Sequence, residues 1–328
     1  MALSPPLQPM LADARPALPR DAALPGGLAY EQKPDGYRAL LFAGPGRTHL
    51  QSRNGADLTS AFPEITAAGR ALAGPFVLDG ELVVAHNGRL HFGELQRRAR
   101  RRGAGARTAA AERPANLIVF DVLDTADGSL LDRPYRERRA LLEELFADGV
   151  LAAPFALCPA TTDRATAEDW LDPAWGAAGI EGVVVKGLAQ RYEPGHRGWL
   201  KVRTRATTEA VVASVTGPIS RPSTLLLGRF DHIGRLHYVA RTAPLARAAR
   251  QELGQRLEPG GEGHPWWGRR FSAGWGTREM LEHRPVVPNL VVEIVADTAV
   301  DEGRFRHPVR YVRVRDDMEP AQAPWFDD

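Results

Sequence analysis

Tyr30-Glu31-Gln32-Lys33-Pro34-Asp35-Gly36-Tyr37-Arg38 contains the pattern K-x-D-G-x-R, and the rest of the chain can be interpreted outward from it. A lysine is suited to nucleophilic chemistry because neighbouring charge or burial can lower its pKa until the amine is free. An arginine keeps its proton in the same surroundings. Because a hexapeptide pattern can recur by chance, its interpretation depends on the motifs that accompany it.

Lysine is rare in this chain of 328 residues. It occurs only at Lys33, Lys186 and Lys201, so arginine supplies 39 of the 42 Lys and Arg residues. A coding bias that favours arginine explains the general replacement, and a lysine that survives such a bias is a candidate for a role that needs an amine. For any one lysine alone, an ordinary surface cation would be the simpler interpretation.

Five further motifs follow the first one, and together the six motifs contain all three lysines. In chain order they are Ser52-Arg53-Asn54-Gly55, Leu78-Asp79-Gly80-Glu81, Ile118-Val119-Phe120-Asp121, Glu181-Gly182-Val183-Val184-Val185-Lys186 and Trp199-Leu200-Lys201-Val202-Arg203. Their order and spacing resemble those of the covalent nucleotidyltransferase superfamily, which comprises DNA ligases, RNA ligases and mRNA capping enzymes.

Four flanking segments narrow this resemblance, which covers nearly the whole chain. They are similar to segments of bacterial ATP-dependent DNA ligases of the LigC type, which are related to the ligase module of LigD, the bacterial end-joining enzyme. The segments are Ser4-Pro5-Pro6-Leu7-Gln8-Pro9-Met10-Leu11-Ala12, His91-Phe92-Gly93-Glu94-Leu95-Gln96-Arg97-Arg98, Tyr192-Glu193-Pro194-Gly195-His196-Arg197 and Gly303-Arg304-Phe305-Arg306-His307-Pro308.

The hydropathy pattern predicts an α+β fold. Residues 1–203 combine strands with the helix 136–146, and residues 204–328 consist mainly of short strands with one helix at 245–257. Five strands with one intervening helix suit an oligonucleotide-binding (OB) β-barrel. The predicted strands lie in a hairpin at 37–50 and at 76–85, 116–123, 182–185, 199–202, 210–215, 224–230, 236–240, 290–295 and 309–314. The resemblance implies the same division, an adenylation domain with antiparallel sheets followed by an OB barrel.

The composition excludes several other classes of protein. The single cysteine, Cys158, rules out an intrachain disulfide and a thiolate zinc site. No apolar run approaches the length of a membrane span, and the first residues lack the pattern of a secretory signal. We therefore expect a cytoplasmic protein, working at the nucleoid, with no membrane association. The net charge of +2 says little about nucleic acid.

The resemblance implies a role for ten residues of these motifs. Lys33 is the nucleophile that becomes joined to AMP, and Lys201 and Arg203 contact the α-phosphate of ATP. Glu81 lies near the ribose and Glu181 near the metal; these carboxylates suit Mg²⁺ or Mn²⁺. Glu31 reads the amino edge of adenine, and Phe120 stacks on adenine. Arg38 and Arg53 contact phosphate and ribose. Lys186 is a further nucleotide contact.

Several of these residues have a structural interpretation as well. Phe120 lies in an apolar stretch and would pack in the core if the resemblance failed. Asp35 and Asp79 precede glycines and could form turns. Lys186 could cover only the edge of the site. The nine histidines lack metal-ligand spacing and are interpreted as structural or surface residues.

Two positions depart from the family pattern. Arg203 stands where lysine is common, which preserves charge but alters the geometry of a phosphate contact. Arg315-Asp316-Asp317-Met318 occupies the place of R-x-D-K, so Met318 replaces a lysine that orients the pyrophosphate leaving group. Arg313 or Arg310 could supply the missing cation.

Two arginine-dense segments are candidates for contacts with the DNA backbone. One is a predicted loop, Arg97 to Arg102 followed by Gly103-Ala104-Gly105, and the other contains the arginines from Arg304 to Arg315. A solvated basic face is the alternative for both. The loop and a Gly/Pro-rich insertion, Glu258 to Gly274, need no fixed structure in the free protein.

The predicted function is that of an ATP-dependent DNA ligase that seals nicks in duplex DNA through a lysyl-AMP intermediate, with DNA repair as its setting. An RNA ligase or a GTP-using capping-type transferase is the enzymatic alternative, and a non-catalytic nick- or end-binding protein is the alternative from another class. The resemblance implies ATP with Mg²⁺ or Mn²⁺ as cofactors and nicked duplex DNA as substrate. It suggests Ku and a repair polymerase as partners of a monomeric enzyme.

Overall fold

A computed structural model describes residues 3–272 and 280–326 of the chain. The chain divides into two compact units, Met1–Thr204 and Arg205–Asp328. Among the described residues, no helix is long and apolar enough to cross a membrane.

Over residues 3–204, the first unit contains twelve strands and five α-helices. The strands are β1 (Leu11–Arg15), β2 (Leu28–Pro34), β3 (Tyr37–Ala43), β4 (His49–Ser52), β5 (Phe76–His86), β6 (Arg89–Leu90), β7 (Ala115–Thr125), β8 (Gly128–Ser129), β9 (Phe155–Leu157), β10 (Ala160–Thr161), β11 (Ile180–Gly187) and β12 (Arg197–Arg203). The helices are α1 (Pro63–Ala71), α2 (Phe92–Ala99), α3 (Gly103–Glu112), α4 (Tyr135–Ala147) and α5 (Arg164–Asp169), and a 3₁₀ helix spans Pro173–Ala178.

These strands form two sheets. One sheet has the order β1-β12-β11-β2-β10, and the other has the order β4-β3-β5-β7-β8, with β6 beside β5 and β9 beside β7. Most neighbours are antiparallel, as predicted, whereas β1 with β12 and β7 with β9 are parallel. The larger core packs α1 and α4 against the second sheet and includes Phe62, Leu78, Leu117 and Leu142.

The predicted arginine-dense loop at Arg97 to Arg102 is confirmed only for Arg100 to Arg102, which form an exposed connection between α2 and α3, and is wrong for the rest. Arg97 and Arg98 belong to the end of α2, and Gly103-Ala104-Gly105 begins α3. Arg98 is fully buried, and its Nη1 lies 2.7 Å from Oε1 of Glu64 on α1. Arg97 lies 3.0 Å from a carboxylate oxygen of Glu94. These two guanidinium groups therefore stabilise the packing of α2 and are not a mobile basic surface.

The second unit contains nine strands and one α-helix in its described part. The strands are β13 (Arg205–Thr216), β14 (Thr224–Phe230), β15 (Leu236–Arg241), β16 (Phe271–Ser272), β17 (Met280–Leu281), β18 (Arg284–Asp297), β19 (Val300–Asp301), β20 (Arg304–Phe305) and β21 (Arg310–Val314). The helix is α6 (Arg247–Gly254), shorter than the predicted 245–257, and a 3₁₀ helix spans Pro320–Gln322.

The main sheet of this unit closes on itself. Its order is β15-β14-β13-β18-β21, and a parallel bridge between Thr242 and Val309 joins the two outer strands. Val309 donates its N–H to the Arg241 carbonyl at 2.9 Å, and Ala243 donates to the Val309 carbonyl at 2.8 Å. Five strands closed in this order, with α6 between the third and fourth, confirm the predicted OB barrel.

The predicted Glu258 to Gly274 insertion has fixed structure over its described part, so the expectation that it needs none is wrong there; Ala273 and Gly274 lie outside the described residues. Trp266 and Phe271 are buried against Ala213, Leu226 and Leu236. The interior of the barrel is a separate core, which includes Val212, Leu227 and Ile294. Because side chains alternate along a strand, the insertion covers the outer face of β13, β14 and β15.

Candidate functional site

Lys33 lies on β2, and its ammonium is paired with the Glu181 carboxylate on the neighbouring strand β11. Burial acts to lower the pKa of Lys33, but the negative charges of Glu181 and Glu81 outweigh it, so that this pKa is raised above its usual value. From the sequence we expected neighbouring charge or burial to lower the pKa of Lys33. In this structure the nearest charges are carboxylates, and the amine is held as an ammonium.

Glu81 lies on β5, in the other sheet of the same unit. Burial and the nearby carboxylates of Glu181 and Asp35 raise the pKa of Glu81 to about 8, although Lys33 and Arg38 oppose the shift. Two carboxylates from different sheets therefore flank the amine of Lys33. Burial is the larger reason that Glu81 holds a proton near neutral pH, and repulsion from the neighbouring carboxylates adds to it.

Cations also lie near this site. Burial lowers the pKa of Lys201 on β12, and the positive charges of Arg203, Lys33 and Arg53 lower it further. Arg53 follows β4, and its backbone N–H donates to the Arg38 carbonyl at 3.1 Å. Like charges brought together in this way repel one another unless an anion lies among them. The group is therefore suited to binding phosphate.

The two carboxylates also fit a divalent metal ion. Mg²⁺ is typically held by one or two carboxylates together with substrate phosphates and water. A cation between Glu81 and Glu181 would favour the ionised form of Glu81, whose pKa of about 8 reflects unrelieved burial and repulsion. The described residues contain no group of three or more His, Cys, Asp or Glu that could hold a metal by themselves. The site therefore suits an ion that shares its coordination with a bound phosphate.

Glu31 on β2 and Lys186 on β11 form a buried ion pair. Lys186 Nζ lies 2.8 Å from Glu31 Oε2, and the Tyr135 hydroxyl donates to Glu31 Oε1 at 2.6 Å. Lys186 also donates to the carbonyl oxygen of Phe120 at 3.2 Å. The side chains of Lys186 and Glu31 are 0% and 2% exposed. The interpretation of Lys186 as a residue at the site's edge is therefore wrong.

Aromatic rings surround the ammonium of Lys186. Its Nζ lies 4.3 Å from the ring centre of Trp199, 4.7 Å from that of Phe120 and 4.9 Å from that of Tyr135. Phe120 meets Trp199 edge to face at 6.2 Å between centroids. Phe120 is only partly buried. Cation–π contacts and the Glu31 ion pair together compensate the burial of this charge.

Most of the Arg38 guanidinium group is occupied by contacts within the protein. It forms a bidentate ion pair with Asp79, at 3.0 and 2.6 Å, and donates to the Met10 carbonyl at 2.5 Å. Tyr192 donates its hydroxyl to Asp79 at 2.8 Å and accepts the Met10 N–H at 3.0 Å. Asp79 lies in the middle of β5 and does not form a turn, so that structural interpretation is wrong. Asp35 does lie in the turn between β2 and β3.

Glycine is required beside Glu181. Gly182 has φ +145°, and a Cβ on this residue would lie 2.1 Å from the carbonyl oxygen of Val202 on β12. The strand pairing between β2 and β11 also shifts register between Ile180 and Val183. The close approach of the two backbones sets where Glu181 faces Lys33.

Sequence reasoning missed three residues of this site, Tyr135, Tyr192 and Trp199. Each is almost fully buried, and each contacts a predicted site residue directly: Tyr135 contacts Glu31, Tyr192 contacts Arg38, and Trp199 contacts Lys186. An aromatic residue in an apolar helix or strand looks like any core residue. Their polar atoms are the useful signal, because a buried tyrosine hydroxyl needs a hydrogen-bond partner.

The C-terminal motif lies in the second unit and is rich in ion pairs. Arg315 binds Asp317 with two hydrogen bonds of 2.8 and 2.7 Å and lies 2.6 Å from a carboxylate oxygen of Glu209. Arg313 lies 2.8 Å from Glu293. Met318, in the place of the lysine, packs beside the apolar cluster of Val211, Val291 and Ala323. Whether Arg313 or Arg310 supplies the missing cation stays a prediction.

Family models match both units of the chain. The model described as ATP dependent DNA ligase domain matches residues 9–203, and the model described as ATP dependent DNA ligase C terminal region matches residues 220–318. DNA ligase C of Mycobacterium tuberculosis is 34% identical over 345 residues, with 99% of this chain and 94% of the relative covered. DNA ligase C2 of Mycolicibacterium smegmatis is 34% identical, with 95% and 93% covered.

Solved structures agree with these relatives. The structure described as mycobacterial DNA ligase D complexed with ATP and MES has a TM-score of 0.52 and 28% identity, with 98% of each chain covered. The ligase domain from M. tuberculosis LigD has the same TM-score of 0.52 and 28% identity, and the match covers 97% of this chain and 98% of that one.

Proposed function

This chain belongs to the ATP-dependent DNA ligase family, and from that membership we propose which of its residues carry the reaction. It is an enzyme that seals nicks in DNA, and it uses ATP and a divalent metal ion to form a lysyl-AMP intermediate. The observation that carries the residue proposal is the ion pair of Lys33 with Glu181, beside the cations Lys201 and Arg203.

In the first step, the ε-amine of Lys33 attacks the α-phosphorus of ATP. A nitrogen–phosphorus bond forms, the bond from the α-phosphorus to the oxygen that bridges to the β-phosphate breaks, and pyrophosphate leaves. Glu181 is positioned to receive the proton that the Lys33 ammonium must lose before it attacks, because it already accepts a hydrogen bond from this group. A second proton, lost when the nitrogen–phosphorus bond forms, passes to solvent. Lys201 and Arg203 neutralise charge on the α-phosphate, which favours the attack through positioning and electrostatics.

We propose that adenosine binds beside the Glu31–Lys186 pair on β2 and β11. We propose that adenine stacks on the ring of Phe120, a residue that is only partly buried. Its amino group would donate to Glu31, whose carboxylate is fixed by Lys186 and Tyr135. A carboxylate has four lone-pair directions, so it can accept a further hydrogen bond. Arg53 contacts ribose or phosphate, and Arg38 contributes by holding the pocket wall.

We propose that Glu81 and Glu181 hold the divalent ion, Mg²⁺ or Mn²⁺, together with phosphate oxygens. When bound, the ion supplies positive charge that offsets charge on the phosphates. Glu81, whose pKa is about 8 here, would be ionised in that state.

In the second step an oxygen of the 5′-phosphate at the nick attacks the phosphorus of lysyl-AMP. The nitrogen–phosphorus bond breaks, and the amine of Lys33 leaves after taking up a proton from solvent. In the third step the neighbouring 3′-hydroxyl attacks the 5′-phosphate, AMP leaves, and the hydroxyl proton passes to solvent.

We propose that the two units act as an adenylation domain, residues 1–203, and an OB domain, residues 204–328. The arginines from Arg304 to Arg315 are proposed contacts to the DNA backbone.

Labelling with nucleotide tests the role of Lys33. Incubation with α-labelled ATP and Mg²⁺ should transfer label to the protein, and mass spectrometry of a digest should find AMP on Lys33. GTP should give little label. Lys33→Arg should abolish labelling while DNA binding stays within about 2-fold, since the charge is kept. Label from GTP alone, or AMP on another residue, would refute the assignment.

A nick-sealing assay tests the substrate. Duplexes with one nick are prepared with DNA, RNA or mixed strands on either side, and sealing is followed with ATP and Mg²⁺. We expect the DNA duplex to be sealed fastest. Faster sealing of a nick between two RNA strands would favour the RNA-ligase alternative. Tight binding of nicked DNA without any sealing would favour a non-catalytic binding protein.

We further propose DNA repair as the setting, a monomeric enzyme, and a location in the cytoplasm at the nucleoid, where the substrate lies. Ku and a repair polymerase are proposed as partners, supported by the similarity to DNA ligase D. Co-sedimentation of the full chain with purified Ku on DNA ends tests the partner. Equal sedimentation with and without Ku would remove this part of the proposal.

A further inference from the structure

Two adjacent tryptophans of the second unit have opposite surroundings. Trp266 is 0% exposed, whereas the side chain next to it in sequence, Trp267, is 52% exposed. Both belong to the segment His264-Pro265-Trp266-Trp267-Gly268-Arg269-Arg270, which we name the tryptophan loop. An exposed tryptophan presents a large apolar area to water and commonly marks an interaction site.

Trp266 fixes this loop on the barrel. Its indole N–H donates to the carbonyl oxygen of Leu236 on β15 at 3.2 Å. Its ring lies 5.0 Å from that of Phe271 and 6.0 Å from that of Tyr238, measured between centroids. Trp267 donates its backbone N–H to the His264 carbonyl at 2.9 Å. The backbone at Trp267 is therefore fixed before any partner binds, which reduces the entropy that the loop loses on binding.

Two arginines accompany the exposed ring. Arg269 and Arg270 are both exposed, and no ion pair joins either of them to a carboxylate among the described residues. The tryptophan loop itself contains no acidic residue. Arg269 also lies with its guanidinium carbon 5.4 Å from the Phe271 ring centre, which limits its orientations. The loop thus combines a rigid aromatic side chain with two unneutralised cations.

A third arginine lies beside the same aromatic cluster. The guanidinium carbon of Arg304 on β20 is 5.8 Å from the centre of the Tyr238 ring, and Tyr238 contacts Trp266. Arg304 belongs to the connection between the fourth and fifth strands of the barrel. In OB folds that connection and the face of the second and third strands commonly contact nucleic acid. The tryptophan loop therefore lies next to a surface suited to phosphates.

We propose that the tryptophan loop contacts duplex DNA beside the nick, with Trp267 packed on deoxyribose and base edges and with Arg269 and Arg270 paired with phosphates. The inference rests on the proposed DNA substrate. It adds a binding element that acts after Lys33 has reacted with ATP. A polyanion fits the two cations better than an ordinary protein surface does, because each phosphate can accept from a guanidinium.

Trp267→Ala is the first test, performed with enzyme already carrying AMP so that ATP binding plays no part. We expect the concentration of nicked DNA at half-maximal sealing to rise about 10-fold, as for loss of a rigid aromatic anchor. Trp267→Phe should recover most of the loss. Labelling of Lys33 by ATP without DNA should stay within about 2-fold. Ile233→Ala, at a side chain 59% exposed in the same unit, is the control for loss of an exposed apolar group.

Arg269→Ala/Arg270→Ala tests the phosphate contacts. The dissociation constant for nicked duplex is measured from low to moderate salt concentration. In a plot of the logarithm of this constant against the logarithm of the salt concentration, the slope of the variant should be smaller than that of wild type by about 2. Arg70→Ala/Arg136→Ala removes two exposed arginines of the first unit and is expected to leave the slope unchanged.

The outcomes separate this inference from the proposed function. If wild-type enzyme does not seal nicks, the proposed function fails. If wild type seals nicks while the tryptophan and arginine variants bind DNA like wild type, the inference is overturned. Unchanged DNA binding together with loss of a protein partner would also overturn it, because the loop would then be a protein interface.

Discussion

The ammonium nitrogen of Lys186 lies 4.3 Å from the ring centre of Trp199, and neither side chain is more than 2% exposed. The charge is kept inside the protein because Glu31 pairs with it and three aromatic rings surround it. These contacts link strand β11, which carries Lys186, to β12 and to β7 of the other sheet. A buried charge thus joins the two sheets of the first unit behind the reactive lysine.

Replacement of Lys186 by methionine should destabilise the protein by about 3 kcal/mol, because it leaves the Glu31 carboxylate buried without its strongest partner. The double change Lys186→Met/Glu31→Gln should cost less than the sum of the two single changes. Urea unfolding followed by tryptophan fluorescence gives all four values of the cycle. Additive costs would show that the two charges do not depend on each other.

The contribution of Glu81 to the free energy of unfolding should fall as pH rises. A carboxylate whose pKa is lowered in the folded protein would show the opposite trend. Its pKa is about 8 in the folded protein against 4.5 unfolded, so the folded state binds more protons between these values. Unfolding then becomes easier as pH rises through that window. Relative to wild type, Glu81→Gln should therefore become progressively more stable from pH 5 to pH 8, as measured by urea unfolding. A constant difference would contradict the raised pKa.

Arg203→Lys tests whether charge or geometry matters at this position. We expect Lys33 labelling to change by less than about 10-fold in this variant, because the cation is kept, and to fall about 100-fold in Arg203→Ala, where it is lost. Initial rates with α-labelled ATP measure both. Equal losses in the two variants would mean that the planar guanidinium itself is required.

Gly182→Ala should destabilise the protein by about 3 kcal/mol and remove most Lys33 labelling, because the new methyl group would meet the Val202 carbonyl and displace Glu181. Gly149→Ala is the matched control. Gly149 also has positive φ, at +70°, but a Cβ there would meet nothing within 4 Å, so its cost should be about 1 kcal/mol. Thermal unfolding and labelling are measured on both. Equal effects would show that backbone strain alone matters.

The predicted strands from 37 to 123 and from 210 to 314 are confirmed, because alternating and apolar runs are local signals. Two of them were predicted too short, since 210–215 lies within Arg205–Thr216 and 290–295 lies within Arg284–Asp297. The strand Leu11–Arg15 was not predicted. Its neighbour is Arg197–Arg203, more than 180 residues later, and a parallel pair of that kind has no local pattern. The burial of Arg98 could not be predicted for the same reason, because it depends on an ion pair with Glu64, which lies on another helix.

The motifs located the residues around Lys33, but they did not reveal how those residues contact one another. Arg38 looked like a phosphate ligand, whereas the structure pairs it with Asp79 and the Met10 carbonyl. The pKa of Lys33 was expected to be lowered, but two carboxylates raise it. Both results depend on side chains from separate strands, whose distances a linear motif does not contain.

Glu31 and Lys33 are two residues apart on β2, and so they lie on the same face of one extended strand. Two residues of strand span about 6.6 Å. The separation between the proposed base-reading group and the reacting amine is therefore set by the covalent length of the backbone. Substitutions nearby can be absorbed by repacking, whereas inserting or deleting a single amino acid between these two positions would turn one of them to the opposite face of the sheet.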